Sequence, residues 1–279
     1  MVAFTMGYLV ITDPNLGWNF IWIPFATLSS IAVFQFLTLK NELTQSNSYS
    51  LWTYSCLLLI AALYATDISI FIAYLFCLLA LNRLLSMRTG RGLVKKIFDA
   101  SLWIAIATLF YSWCSLFFLV VFLSIVVYNF KNVKYWTIPF IAISCVTLLT
   151  FTVDQLLETV YLFPVYDGFD YDFNYLHTKW SVSTIVSILL GGIAFLFSIA
   201  ILFAFPNISL SARSRFSVLG FSGLCSVVIG AFCGSVFFLL PVLAVFLARF
   251  LQETNDKITK ESLLWLPFIT MFILFFIRL

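Results

Sequence analysis

The chain has 279 residues, 63% of them hydrophobic and only 10% charged, with 33 Phe and a formal net charge of +3. An ordinary soluble domain has about half apolar and about a quarter charged residues, so too few polar side chains are present to cover a water-facing surface. That excludes a water-soluble enzyme and a disordered chain. A nucleic-acid binder is excluded too, because no Lys/Arg run interleaved with aromatics accompanies the small charge.

Apolar runs fall at about 17–38, 51–82, 98–129, 136–160, 181–205, 216–250 and 263–277. The first Lys is Lys40, so no basic segment precedes the first run and a cleaved signal peptide is not expected. A helix needs about 20 residues to cross a hydrocarbon core of about 30 Å. The runs 51–82, 98–129 and 216–250 are too long for one crossing and short for two. Each is interrupted near its middle, at Thr66–Asp67, at Tyr111–Ser112–Trp113 and between Gly230 and Gly234. Single tilted helices give seven spans; tight hairpins of short helices give ten.

The basic residues choose between these arrangements, because short cytoplasmic loops accumulate Lys and Arg. With ten spans and both termini outside, one side receives 13 of the 15 cations, leaving only Lys179 and Arg278 opposite. With seven spans the 83–97 and 131–135 loops fall on opposite sides and the asymmetry collapses. The expected fold is therefore an all-α, polytopic transmembrane bundle of about ten spans including short helical hairpins. It forms one integral-membrane domain over 1–279, placed in a bacterial inner membrane with its basic loops cytoplasmic. A first span that begins outside with no upstream cation leaves two readings open: an N-out insertion, or a helix upstream of Met1.

Seven of the 12 acids fall on the outer side, which carries a net −5 against +8 inside. Acids hardly affect insertion, so their position points to function, while the inner excess suits anionic lipid headgroups. Asp13 lies in the turn-like Thr12–Asp13–Pro14–Asn15, and Asp67 follows Thr66 between two helices, where helix capping explains it equally well. Asp154 and Glu158 are four residues apart and share a helix face. Such a pair either raises one pKa, binds a divalent cation, or is a solvated helix end. The outer loop 161–180 alternates strictly: Phe169, Tyr171, Phe173 and Tyr175 fall on one side of an extended segment, with Asp170, Asp172 and Asn174 on the other. Aromatic faces beside carboxylates suit stacking on a sugar ring and accepting its hydroxyls; an interfacial aromatic belt is the plainer alternative. Asp167 belongs to the same loop, and His177 and Lys179 are its groups able to meet a phosphate. Asp99 reads as a helix-opening acid paired with Lys95.

Other chemistries lack their residues. Helix centres carry almost no ionisable groups, which lowers a coupled transporter. One histidine cannot furnish a non-haem iron centre, and no GxSxG, P-loop or GxGxxG occurs. The six cysteines form no CxxC pair and read as small packing groups in apolar runs.

Three stretches, LALNRLLSMR at 79–88, KIFDASLWIAIATLFYSW at 96–113 and GSVFFLLPVLAVFLARFLQE at 234–253, resemble an uncharacterised Bacteroidota integral-membrane family, a likeness that brings no activity with it. More distantly, the late Leu239–Leu240–Pro241–Val242–Leu243 stretch and the short hairpins resemble membrane glycosyltransferases that use polyprenyl-phosphate-linked sugars. That resemblance implies a catalytic acid in the first outer loop, the place Asp13 would take with an upstream helix. The short outer loop and two outer cations depart from it. The expected function is thus glycosyltransferase-like at the outer face, with Asp13 or Asp67 as general base. The alternatives are a non-enzymatic scaffold or assembly factor, then a solute transporter.

Overall fold

The computed structural model describes residues 19–44, 48–64, 68–129, 132–157, 210–233 and 237–253, with single positions at 192 and 196 and several between 256 and 269. All regular structure in these residues is helical: α1 (Asn19–Lys40), α2 (Tyr49–Tyr64), α3 (Ile68–Leu85), α4 (Leu93–Phe110), α5 (Phe117–Asn129), α6 (Lys134–Leu157), α7 (Leu210–Cys233) and α8 (Leu240–Glu253). Tight helical turns at Ser86–Thr89, Ser112–Leu116 and Phe237–Leu239 join or begin some of them.

Three described stretches are long and apolar enough to cross a membrane: Ile68–Thr89, Lys134–Leu156 and Arg213–Ala231. At about 1.5 Å per residue, helices such as α5, with 13 residues, and α8, with 14, reach only about 20 Å and do not cross alone. The run 98–129, whose interruption lies within described residues, breaks where the sequence is interrupted. α4 stops at Phe110, Tyr111 is extended (φ −153°, ψ 105°), and its N–H caps the Ala107 carbonyl. The chain then tightens through Ser112–Leu116 before α5.

The helices form three pairs that leave one end of the bundle and return to it. The α1–α2 connection, the α3 C-terminus, the α4 N-terminus, the α5 C-terminus, the α7 N-terminus and the α8 C-terminus meet there through Glu42, Arg88, Lys96, Tyr128, Arg215 and Arg249. Lys40 and Arg83 act on Lys96 there, and Arg88 and Arg249 on Arg215. α3 lies at the centre, packed on α1 and α4, while α6 covers the far side of α4.

Side chains within the bundle satisfy their polar atoms locally, as apolar surroundings require. Thr27, Ser30, Ser101, Ser124, Ser222 and Ser226 each donate to a carbonyl three or four residues back in their own helix. The core is aromatic. Phe34 stacks on Tyr54 at 3.9 Å, the Tyr54 and Tyr74 hydroxyls share a 2.7 Å hydrogen bond, and Phe237 and Phe238 pack against Tyr74. The Leu239–Leu243 stretch is built into this core: Leu239, Leu240, Val242 and Leu243 are all buried. Outward, α1 and α6 present rows of exposed apolar side chains, among them Phe25, Leu28, Phe140, Leu148, Leu149 and Leu156. A surface of that kind is suited to lipid and not to water.

Candidate functional site

The densest polar constellation among the described residues lies where α1 ends. Its backbone closes as a Schellman cap: the Leu43 N–H donates to the Thr38 carbonyl at 3.1 Å and the Glu42 N–H to the Leu39 carbonyl at 3.3 Å. That motif needs a left-handed residue after the helix, usually Gly, and here Glu42 takes it at φ 50°. A non-glycine in this conformation costs about 1–2 kcal/mol. The side chain gives the reason for tolerating it. Glu42 Oε2 accepts a 3.0 Å hydrogen bond from Arg88 at the end of α3 and lies 3.5 Å from Arg215 Nη1 on α7.

Two arginines then cap the carbonyls that the end of α1 leaves open. Arg215 Nη1 donates to the Asn41 and Glu42 carbonyls, and Arg249 Nε donates to the Leu43 carbonyl at 3.0 Å. Cations at a helix C-terminus face the negative end of its dipole. Arg249 also rests its guanidinium 4.0 Å from the centre of the Phe216 ring. Asn41 donates to the Leu37 carbonyl at 2.9 Å and to Asn82 Oδ1 at 3.3 Å, tying α1 to α3 with both amides buried.

On the neighbouring rim, Gly90 (φ 66°) and Gly92 (φ 62°) turn the chain from α3 into α4. This turn brings Lys96 Nζ within 2.5 Å of the Ser86 carbonyl and 2.6 Å of Thr89 Oγ1. Partial burial, then the charges of Lys40 and Arg83, hold the Lys96 pKa below its ordinary value. Hydrogen bonding from Arg88, then the charges of Arg88 and Arg215, hold the Glu42 carboxyl below the usual carboxylate range.

Arg215 is 5% exposed, yet its Nε is buried with no hydrogen-bond partner. Arg88 and Arg249 lie within electrostatic reach of it, as does the Tyr128 hydroxyl beside Ser214. Two guanidinium groups, Arg88 and Arg215, therefore meet at one carboxylate, which is itself 68% exposed in its side chain.

Of the residues proposed from the sequence, Asp154 alone lies within the described ones. It stands near the end of α6, twenty residues and so roughly 30 Å beyond Lys134. It is partly buried, and its Oδ1 is enclosed without a hydrogen-bond partner. Asp13, Asp67, Glu158, Asp167, Asp170, Tyr171, Asp172, His177 and Lys179 lie outside the described residues. Asp99 differs from the reading made for it. α4 begins six residues earlier, at Leu93, and Asp99 pairs with Arg83 of α3 at 3.4 Å. The pairing across helices wins because α3 and α4 pack side by side there.

The Arg215–Glu42–Arg249 junction was not singled out by sequence reasoning. Its one local signal is Lys40–Asn41–Glu42, a polar cluster where an apolar run stops. Among the described residues no group of three His, Cys, Asp or Glu comes together as a metal site. A small apolar cavity between α3, α5, α7 and α8 is lined by Tyr74, Cys77, Phe117, Ser222 and Phe238 and offers little polar chemistry. No known protein family, curated protein or solved structure matches the chain.

Proposed function

We propose that this chain is a multi-pass protein of a bacterial inner membrane, with about ten spans and its basic loops cytoplasmic. At the outer face it acts as a glycosyltransferase-like protein on a polyprenyl-phosphate-linked sugar. The reading of about ten spans is supported by the helix pairs that leave and re-enter one end of the bundle, and by the cations gathered there. Two such short helices fit a long apolar run that one span cannot use up.

The observation that carries the catalytic half of the reading is Asp154. Its carboxylate holds a buried oxygen with no partner, at the end of α6 away from the cations. A buried, unsatisfied acceptor in a native fold calls for an explanation, and a substrate hydroxyl or a cation held with Glu158 supplies one. In this reading Asp13 or Asp67 is the general base. Asp154, Glu158, Asp167, Asp170, Tyr171, Asp172, His177 and Lys179 bind the sugar and its phosphate. The distant resemblance of the Leu239–Leu243 stretch and short hairpins to polyprenyl-phosphate-dependent transferases supports the same reading.

Asp13→Asn and Asp67→Asn test the base, and Asp154→Asn tests the binding role, each read in envelope glycans and in the amount of folded protein in the membrane. Loss of a glycan with normal folded protein in at least one variant supports the transferase. Unchanged glycans in all three remove it. The second reading, a scaffold or assembly factor, is favoured by the built basic end. A stoichiometric partner co-purifying with all three variants would establish that reading instead.

A further inference from the structure

We propose that the Arg88–Arg215–Glu42 junction at the end of α1 is a binding site for a phosphate group, carried by an anionic lipid headgroup or free in solution. It lies at the end of the bundle away from Asp154 and rests only on the chain lying in a bilayer, not on the transferase reading.

The donor geometry comes first. A guanidinium has five N–H donors, and its Nε edge presents two in parallel, matched to two oxygens of one phosphate. Arg215 spends its contacts with the protein through Nη1, on two backbone carbonyls and Glu42. The Nε remains buried and unsatisfied on a side chain that is almost fully enclosed. An acceptor is missing on that edge among the described residues.

Charge points the same way. Arg88 and Arg215 share the Glu42 carboxylate, and the charge of Arg249 also acts on Arg215. A half-buried excess of cations is stabilised by an added anion. Glu42 leaves room for one, since its exposed pairing with Arg88 is the kind of contact worth little in water. A phosphate entering from the Arg88 side displaces the carboxylate outward and completes Arg215. Exposed Val126 and Val127 precede Tyr128 on α5, and exposed Phe36 and Leu39 precede Lys40 on α1. These exposed apolar side chains lie on helices that end at the junction and offer an acyl chain a surface.

The test uses the full chain purified in detergent, with phosphatidylglycerol, phosphatidylcholine or inorganic phosphate added, and reads retained adducts by native mass spectrometry and the shift in unfolding midpoint. Arg88→Gln should weaken phosphatidylglycerol binding about tenfold, the loss expected for a charge-assisted hydrogen bond. Glu42→Gln should strengthen it, because the competing carboxylate is gone; a merely structural role for Glu42 predicts no such gain. Lys134→Gln, outside the junction, should bind as the unaltered chain does, and phosphatidylcholine should not substitute. Inorganic phosphate stabilising with the same ranking of variants, and phosphatidylglycerol doing no better, would support the site with solution phosphate as its occupant. Binding of both probes that is equal in Arg88→Gln, Glu42→Gln and the unaltered chain would overturn the proposal.

Discussion

At the basic end, arginines, two asparagines and a glutamate hold one another and the last carbonyls of α1. Roughly 30 Å away along α6, Asp154 keeps a buried oxygen with no hydrogen-bond partner among the described residues. The two ends solve different problems. Helix ends of α1, α2, α3, α4, α5, α7 and α8 meet at the first, so exposed carbonyls and excess cations there must be reconciled. Near Asp154 no such junction exists among the described residues, and its carboxylate serves no evident structural need. At the basic end an unpartnered atom, Arg215 Nε, belongs to a side chain that also stitches helices together; Asp154 Oδ1 belongs to one that, among the described residues, does not.

The largest effect expected from this contrast is at Arg215. Arg215→Met leaves the Asn41 and Glu42 carbonyls without their donor, which should lower stability by about 2–4 kcal/mol. The midpoint of denaturation in bicelles measures it, and a variant as stable as the parent would break the idea of a structural junction. The aromatic core gives the next effect. Tyr54→Phe orphans the buried Tyr74 hydroxyl and should cost about 1–3 kcal/mol, whereas Tyr54→Phe with Tyr74→Phe should recover most of that. If the double variant is the weaker one, the shared hydroxyl bond is not what matters there.

The smallest and sharpest effect is at Glu42. Glu42→Ala and Glu42→Gly both lose the carboxylate, but only Ala keeps the left-handed strain, so the Ala variant should be less stable by about 1 kcal/mol. Because the Glu42 carboxyl is held below its ordinary value, its pairing contributes above the ordinary carboxylate pKa and fades as pH falls through the lowered one. Midpoints followed from neutral to acid pH should therefore fall further in the parent than in Glu42→Gln. Parallel curves would mean that the ion pair carries no stability.

Much of the fold was legible in the chain. Long apolar runs became helices because a backbone in apolar surroundings must satisfy its own hydrogen bonds, and the run 98–129 broke beside Tyr111 as its polar interruption implied. Crossing lengths were not. α5 and α8 are shorter than a bilayer core, and only three described stretches are long and apolar enough to cross. Asp99 shows the other limit: its i,i+4 neighbour Lys95 was visible in the sequence, but its partner is Arg83 of the adjoining helix.

Composition alone pointed to a membrane-compatible chain, because 10% charge cannot cover a water-facing surface of this size, and three described stretches are long and apolar enough to cross. Tertiary structure alone decided that Glu42 would sit left-handed beneath two arginines from α3 and α7, residues 46 and 173 positions away. No local pattern encodes such a meeting, since it depends on which helix ends the packing of apolar faces brings together.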